Sequence, residues 1–373
     1  MNASLPPSPS HPAPALTRRA KVTFIIGSLI LVVLLAEAIL RLMLPVERVV
    51  GAGIDDRSWQ YMWIAGRAAD KAAGRLTGKN PLMTLSPTLG WRPKPFAERD
   101  GFRLNSRGLR GGREYDAKRP GERRALVVGD SYTFAGRYSD DLPAIQDDSI
   151  YTAVIERGLP GTTVINLGVP GYGTDQMLLY LREEGLRYEP DLVVLTLFVD
   201  NLYRALLNFR DYAKPRFDLE QGTLTLRNVP LPPPEELERE LPAGKPLSYG
   251  WLIGKIMFRR ITDRFASLGT LEVDKLNAAI LDAFREEVRR RDVPLLVVMI
   301  PAPEQTPALH RSERIVKAWG ERAEVPVLLL RDSFHGLSPA DRARLYIDHL
   351  TPFGHEIAGQ AILERIRADQ LVP

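Results

Sequence analysis

Five short aliphatic runs, separated by turn residues and helical patterns, constrain the fold of this 373-residue chain more than any other feature. Short continuous apolar runs are typical of strands that are buried on both faces of a parallel sheet. Strands that alternate with helices predict right-handed βαβ units and a three-layer α/β/α domain. The predicted strands are Arg124–Val128, Thr163–Leu167, Leu192–Val199, Leu295–Ile300 and Val327–Leu330.

The first predicted strand is followed by the sequence GDSYTFAG, Gly129 to Gly136, which places Ser131 at a strand-to-helix turn. Open α/β sheets carry their ligands and reactive groups outside the carboxyl ends of the strands. A serine at this place becomes a nucleophile when a base, an orienting acid and an oxyanion site converge on it. Two other roles fit the same residues, because Ser131 could cap the following helix and Asp130–Thr133 could bind a phosphate.

Three later segments also follow predicted strands. They are INLGVPGYGTDQ (Ile165 to Gln176), DLVVLTLFVDN, which ends at Asn201, and DHLTPFGH, which contains His349 and His355. Serine, glycine, asparagine and histidine in this chain order are the four marks of the SGNH (GDSL) hydrolase superfamily, which the chain resembles from about Arg124 to its end. It is most similar to a bacterial membrane-anchored branch, in which a segment like NSRGLRGGREY (Asn105 to Tyr115) precedes the serine.

The resemblance implies a flavodoxin-like SGNH domain with a five-stranded parallel sheet, and it assigns roles to the marked residues. Ser131 is the expected nucleophile and His349 the expected base, while His355 has a structural role on the final helix. The expected oxyanion hole consists of the backbone N–H groups of Ser131 and Gly171 and the side-chain amide of Asn201. Such donors stabilise the charge that develops on the tetrahedral oxygen.

The acid that orients His349 departs from the family pattern. The superfamily usually carries an aspartate two or three residues before the histidine, but here Asp348 directly precedes it. Adjacent side chains on an extended strand point to opposite faces, so Asp348 requires an irregular backbone. We expect Asp348 to be the acid; Asp332 is the competitor, and a Ser–His dyad is the third alternative.

The N-terminus predicts a membrane anchor. Residues 1–21 are read as a disordered cytoplasmic tail and residues 22–44 as a transmembrane signal anchor, because Arg18, Arg19 and Lys21 precede a long apolar stretch. Basic flanks stay in the cytoplasm, which places the catalytic domain in the periplasm or otherwise outside the cytoplasm. Two alternatives remain open: a signal peptide cleaved at Ala36–Ala38, and a buried core helix.

The rest of the chain divides into a segment and a domain. Residues 45–123 lack long periodic elements and are predicted to wrap the catalytic domain, which spans residues 124–373. Residues 202–267 interrupt the strand–helix alternation and form an insertion with a hairpin around Gln221-Gly222. A lid beside the active site and a surface excursion without function both fit this insertion.

Composition narrows the function further. The net charge of +4 without a dense basic stripe gives no support for nucleic-acid binding. The absence of cysteine excludes disulfides and thiolate zinc sites, and no other metal or cofactor is expected. We therefore predict a serine esterase that acts on an acyl ester, with cell-envelope polysaccharide as a candidate substrate. The alternatives are an O-acyltransferase and a noncatalytic, membrane-tethered binding module of the same fold.

The anchor hypothesis makes a prediction about topology. An alkaline phosphatase fused after Pro373 should be active in a bacterial host, because this reporter folds only in an oxidising compartment outside the cytoplasm. A reporter that works only in the cytoplasm, fused at the same position, should be silent. The opposite pair of results would contradict the predicted orientation.

Overall fold

The computed structural model describes residues 17–43, 82–99, 101–135, 145–241, 270–303 and 308–372, together with short stretches inside 56–67 and 248–258. Residues 1–16 of the predicted tail lie outside the described residues, as do residues 45–55 and 68–81 of the predicted wrapping segment. The strands, in chain order, are β1 (Met83–Ser86), β2 (Gly90–Pro93), β3 (Glu98–Arg99), β4 (Phe102–Arg103), β5 (Arg123–Gly129), β6 (Thr162–Gly168), β7 (Leu192–Phe198), β8 (Arg216–Glu220), β9 (Thr223–Arg227), β10 (Leu295–Ile300) and β11 (Val327–Leu329).

A five-stranded parallel sheet has the strand order β11-β10-β7-β5-β6, which confirms the predicted fold class. Every residue of β6, β7 and β10 is buried, as expected for strands covered on both faces. This is the flavodoxin-like strand order, in which the first strand of the sheet in chain order, β5, lies between the second, β6, and the third, β7. The switch point lies between β5 and β7. The carboxyl ends of β5, β6 and β7 therefore meet at one edge of the sheet.

Helices cover both faces of this sheet. The chain moves across the sheet in one direction from β5 to β6 and in the other from β6 to β7. Because crossovers are right-handed, the two connecting helices, Tyr151–Gly158 and Thr174–Glu183, lie on opposite faces. The helices are α1 (Arg18–Met43), α2 (Ser131–Phe134), α3 (Tyr151–Gly158), α4 (Thr174–Glu183), α5 (Asn201–Arg204), α6 (Pro234–Glu240), α7 (Thr270–Arg289), α8 (Arg311–Ala323), α9 (Leu330–His335), α10 (Pro339–Arg342) and α11 (Pro352–Ala368).

Helix α1 is long and apolar enough to cross a membrane, with a mean hydropathy of 2.6 over its most apolar window. At about 1.5 Å per residue its 26 residues extend about 39 Å, which exceeds the roughly 30 Å of a hydrocarbon core. No residue of α1 is buried in the protein. The alternative of a buried core helix is therefore excluded, while an anchor and a signal sequence both fit. The helix begins at Arg18, inside the segment predicted as tail.

The segment before the sheet packs against the loop that follows β6. The Trp91 indole N–H donates to the Pro170 carbonyl at 2.8 Å, and the Tyr172 hydroxyl donates to the Trp91 carbonyl at 2.5 Å. The Gln176 side chain donates to the Leu89 carbonyl at 2.7 Å. These contacts fix the Gly171 loop against β2, so the preceding segment supports the edge of the sheet where the site lies.

The insertion contains the predicted hairpin, in which β8 and β9 pair antiparallel. A buried ion pair fastens this insertion to the start of α4. The Lys214 ammonium group donates to the Asp175 carboxylate and to the carbonyls of Arg204, Leu207 and Pro215, and both charged side chains are fully buried. Since the four acceptors surround the ammonium, the pair fixes where the insertion leaves the sheet.

This ion pair predicts a large effect on stability. Lys214→Met should lower the free energy of unfolding by about 3–5 kcal/mol, because it leaves the Asp175 carboxylate buried without a partner. For a domain of this size that loss corresponds to a fall in Tm of about 6–20 °C. The double variant Lys214→Met/Asp175→Leu should recover most of the loss. Thermal unfolding in detergent measures both, and an unchanged Tm in the single variant would contradict the account.

Candidate active site

The turn that carries Ser131, the predicted nucleophile, begins where β5 ends. Asp130 is the N-cap of α2, and its carboxylate accepts from the Tyr132 backbone N–H at 3.0 Å. Ser131 is therefore free of the capping role and stands at the first helical position, with 3% of its surface exposed. Strand β5 delivers this serine to a strand-to-helix turn at its carboxyl end, as the sequence predicts.

Side chains from two other segments hold this turn in place. The Asn166 amide on β6 donates to the Thr133 carbonyl at 2.6 Å. The Arg110 guanidinium donates to the carbonyls of Phe134 and Ala135, at 3.0 and 2.8 Å. A Cβ on Gly168 would lie 2.2 Å from the Phe134 backbone nitrogen, so only glycine permits α2 to approach the end of β6 so closely.

His349 reaches the serine from the other end of the domain. Its Nε2 lies 3.0 Å from the Ser131 Oγ, and its Nδ1 lies 3.0 Å from the Asp348 Oδ2. The ring also packs against Tyr132, with 4.5 Å between the ring centroids. Serine, imidazole and carboxylate are thus joined in one chain of hydrogen-bond contacts.

The Asp348 backbone has the irregular shape that adjacency to His349 requires. Its φ of 120° lies in the left-handed region, and the Ile347 N–H donates to the His349 carbonyl across the turn at 3.0 Å. This turn brings the two neighbouring side chains to the same side. Asp332, the competing candidate, is exposed on α9, whereas the carboxylate beside Nδ1 belongs to Asp348.

Burial and charge act in opposite directions on His349. Burial lowers the pKa of His349 below its usual value, while the neighbouring Asp348 and Asp130 carboxylates raise it by a smaller amount. The net result is a neutral imidazole at neutral pH. A neutral Nε2 is a hydrogen-bond acceptor, which is the form that can take a proton from Ser131.

The predicted oxyanion residues surround the same turn. Gly171 follows β6 with a φ of 85°, and a Cβ there would lie 2.1 Å from the Arg210 Nη1. Within the described part of the chain, the backbone N–H groups of Ser131 and Gly171 donate to no acceptor. Two buried donors without a partner are available for a developing negative charge.

The Asn201 side chain is hydrogen-bonded at both its oxygen and its nitrogen. Its Oδ1 accepts from the Phe198 N–H at 2.5 Å, which orients the amide. Its Nδ2 donates to the Asp130 Oδ2 and to the Tyr172 carbonyl, both at 2.9 Å. Both amide hydrogens therefore have acceptors in this structure. Asn201 is fully buried and joins the nucleophile turn to the Gly171 loop.

Sequence reasoning missed Arg204, which completes this network. Its Nη1 donates to the Asp130 Oδ2 at 2.8 Å, so one carboxylate oxygen receives both the guanidinium and the Asn201 amide. Arg204 lies three residues after Asn201 on the short helix α5, so the two side chains share a face. That spacing was a usable signal, whereas nothing in the sequence around Arg110 indicated where its side chain would go.

The second histidine of the terminal block, His355, contacts Tyr151. His355 is buried on α11, where its ring stacks on Tyr151 and its Nδ1 accepts from the Tyr151 N–H at 3.4 Å. Burial lowers the pKa of His355 to about 3. Over the described ranges, no group of three or more histidine, aspartate or glutamate side chains is arranged to hold a metal ion.

The chain is similar to hydrolases of one known family. The model of the GDSL-like lipase/acylhydrolase family matches residues 127–357, and no curated protein sequence matches the chain. One similar solved structure is a lipase/acylhydrolase from Enterococcus faecalis, at 19% identity over 66% of this chain and 97% of that chain, with a TM-score of 0.34. Another is a catalytic mutant of an acetylxylan esterase from Geobacillus stearothermophilus, at 17% identity over 67% and 96%, with a TM-score of 0.40.

The family match spans more than half of the chain and includes the serine turn, the Gly171 loop, Asn201 and His349. The resemblance predicted from the sequence blocks is thereby confirmed. This chain belongs to the GDSL-like lipase/acylhydrolase family and is an SGNH hydrolase.

Proposed function

We propose that this hydrolase cleaves acyl esters through an acyl-enzyme on Ser131. The observation that carries the proposal is the 3.0 Å contact between the Ser131 Oγ and the His349 Nε2, with the Asp348 carboxylate 3.0 Å from Nδ1. A serine hydroxyl is a weak nucleophile until a base in hydrogen-bond reach removes its proton. The neutral His349 meets that requirement.

The reaction has two halves. In the first, the Ser131 proton moves to the His349 Nε2 as Oγ attacks the ester carbonyl, and the tetrahedral intermediate then collapses as His349 protonates the leaving alcohol. In the second half, His349 takes a proton from water as the water oxygen attacks the acyl carbonyl. The second tetrahedral intermediate then collapses, its bond to the Ser131 Oγ breaks as His349 returns the proton to Oγ, and the carboxylic acid leaves. The Asp348 carboxylate accepts a hydrogen bond from the His349 Nδ1–H, which fixes the tautomer and stabilises the imidazolium in both halves.

The oxyanion is held by the Ser131 and Gly171 N–H groups and by the Asn201 amide. The first two are unpaired toward the described residues, so they accept new negative charge without losing a bond. The Asn201 Nδ2 serves in this role by sharing the hydrogen that it now gives to the Tyr172 carbonyl. Its other hydrogen remains on Asp130, which Arg204 holds in place.

We propose that α1 is an uncleaved anchor and that the hydrolase domain lies outside the cytoplasm, on the periplasmic side of the inner membrane. The support is the apolar length of α1 together with the basic residues before it, Arg18, Arg19 and Lys21. Esters of the cell envelope, including acylated polysaccharide, are the substrates within reach of a domain placed there.

The nucleophile assignment predicts the outcome of a turnover experiment. The Ser131→Ala variant should lose hydrolysis of p-nitrophenyl acetate by at least about 10³-fold, because it removes the hydroxyl that lies 3.0 Å from the His349 Nε2. Its Tm should stay within a few degrees of that of the unchanged protein. Ser149→Ala, a serine on a turn before α3, is the matched control and should keep full activity. Full activity in the Ser131 variant would reject the assignment.

The His349 environment predicts a specific pH profile. The value of kcat/KM should fall at acid pH as His349 becomes protonated, with its midpoint below pH 6.5, because burial lowers the pKa of the imidazole. Asp348→Asn removes a carboxylate that raises this pKa, so the midpoint should move to a still lower pH.

The same Asp348 variant should lower kcat by up to about 10⁴ through loss of imidazolium stabilisation. Asp332→Asn should change neither the midpoint nor kcat, because Asp332 is exposed on α9. Near-normal kcat in both variants would leave a Ser–His dyad, and a loss confined to Asp332→Asn would make that residue the acid.

Asn201→Ala should lower kcat by about 10²–10³ with little change in KM, because an oxyanion donor acts mainly in the transition state. The matched control is Asn277→Ala, which removes another buried amide. The Asn277 side chain donates to the Leu202 carbonyl at 2.9 Å and to the Val273 carbonyl at 3.0 Å, and it accepts from the Thr174 hydroxyl at 2.7 Å. The control should lower Tm without a comparable loss of kcat. Equal effects of the two variants on kcat would assign Asn201 a structural role only.

A further inference from the structure

The end of α1 makes a specific contact with a segment that is remote in sequence. The Glu37 carboxylate accepts from the Ser248 hydroxyl at 2.9 Å and from the N–H groups of Tyr249 and Gly250 at 2.8 and 3.0 Å. Arg41, one turn further along α1, pairs with Glu37 at 2.7 Å. Its guanidinium carbon also lies 4.9 Å from the centre of the Tyr249 ring.

A carboxylate within an apolar membrane helix is costly unless it is partnered. Besides Arg41 on the same helix, the partners of Glu37 come from the far end of the insertion, more than 200 residues along the chain. Glu37 lies within Ala36–Ala38, so cleavage there would separate α1 from the segment that Glu37 contacts. The contact therefore indicates that α1 is retained and that it leaves the bilayer beside residue 248.

The segment that Glu37 holds exposes large apolar side chains. We define the interfacial segment as the described residues within 248–258. In it Trp251, Met257 and Phe258 are 76%, 58% and 68% exposed, next to a helix whose own apolar side chains are exposed along its length. Monomeric proteins rarely leave such side chains clustered in water. Trp251 directly follows Gly250, whose N–H donates to the Glu37 carboxylate of α1.

The charge of the surrounding sequence also favours contact with a lipid bilayer. Residues 242–262 contain four basic residues, Lys245, Lys255, Arg259 and Arg260, and no aspartate or glutamate. Aromatic and aliphatic residues interspersed with lysine and arginine are the composition of segments that lie in the interface of a bilayer with anionic lipids.

We propose that the interfacial segment is a second membrane contact, which inserts Trp251, Met257 and Phe258 into the lipid interface on the side of the hydrolase domain. Glu37 holds it against the anchor, so the insertion is tied to the bilayer at one end and to the Lys214–Asp175 pair beside the active site at the other. The proposal rests on the anchor proposed above and not on the esterase activity.

Because the chain has no cysteine, single-cysteine reporters test this arrangement directly in the full-length protein. Phe258→Cys, Leu31→Cys and Glu321→Cys are labelled with an environment-sensitive fluorophore and reconstituted in vesicles of phosphatidylcholine and phosphatidylglycerol that contain nitroxide lipids. Leu31→Cys reports on the anchor, and Glu321→Cys reports on an exposed position of α8. The label at residue 258 should be quenched by the nitroxide lipids, and the label at residue 321 should not.

Quenching at residue 31 without quenching at residue 258 would overturn the interfacial segment and leave the anchor intact. Absence of quenching at both positions would overturn both the interfacial segment and the membrane anchor. If the labelled Phe258→Cys protein shows no lipid quenching and the unlabelled variant forms disulfide-linked dimers in dilute vesicles under mild oxidation, the segment contacts a second copy of the chain instead of the bilayer. Ester hydrolysis, measured on the same samples, keeps failure of this proposal distinct from failure of the proposed function.

The Glu37 contact is tested by a second variant. Glu37→Ala in the Phe258→Cys background should lose most of the lipid quenching at residue 258 while the Leu31→Cys reporter keeps its own. Glu364→Ala, which removes an exposed carboxylate from α11, should change neither value. Unchanged quenching at residue 258 in the Glu37 variant would reject Glu37 as the link to the anchor.

Discussion

The reversal of strand order at β5 is the constraint on which the site depends. Because β5 lies between β6 and β7, the loops after these three strands meet at one edge, and they carry Ser131, Gly171 and Asn201. His349 arrives from the turn before α11, 218 residues after Ser131. The reacting groups are therefore brought together by topology, and local sequence only supplies their chemistry.

Buried polar contacts convert this topology into a fixed geometry. The Asp130 carboxylate receives the Tyr132 N–H, the Asn201 amide and the Arg204 guanidinium, so the nucleophile turn, β7 and α5 share one centre. The fully buried Lys214–Asp175 pair then fixes the insertion beside that centre. A half-satisfied network of this kind would destabilise the protein, which explains why each of these groups has a partner.

Sequence periodicity and turn chemistry were sufficient for the strands, because short buried runs between turns leave little choice of structure. The order of the marked residues was sufficient to name Ser131 and His349 as candidates, and their roles remain predictions. Asp348 required an irregular turn, and φ at this residue is 120°. The partners of Arg110 and Arg204 could not be predicted, since a long cationic side chain reaches carbonyls and carboxylates that only the tertiary fold brings near.

The most direct test of the account is to locate the covalent label left by a fluorophosphonate on the full-length protein by peptide mass spectrometry. The account predicts a single modified peptide with the label on Ser131, and loss of labelling in His349→Ala while Tm is retained. Labelling of a different serine, or undiminished labelling without His349, would contradict the claim that this histidine activates Ser131.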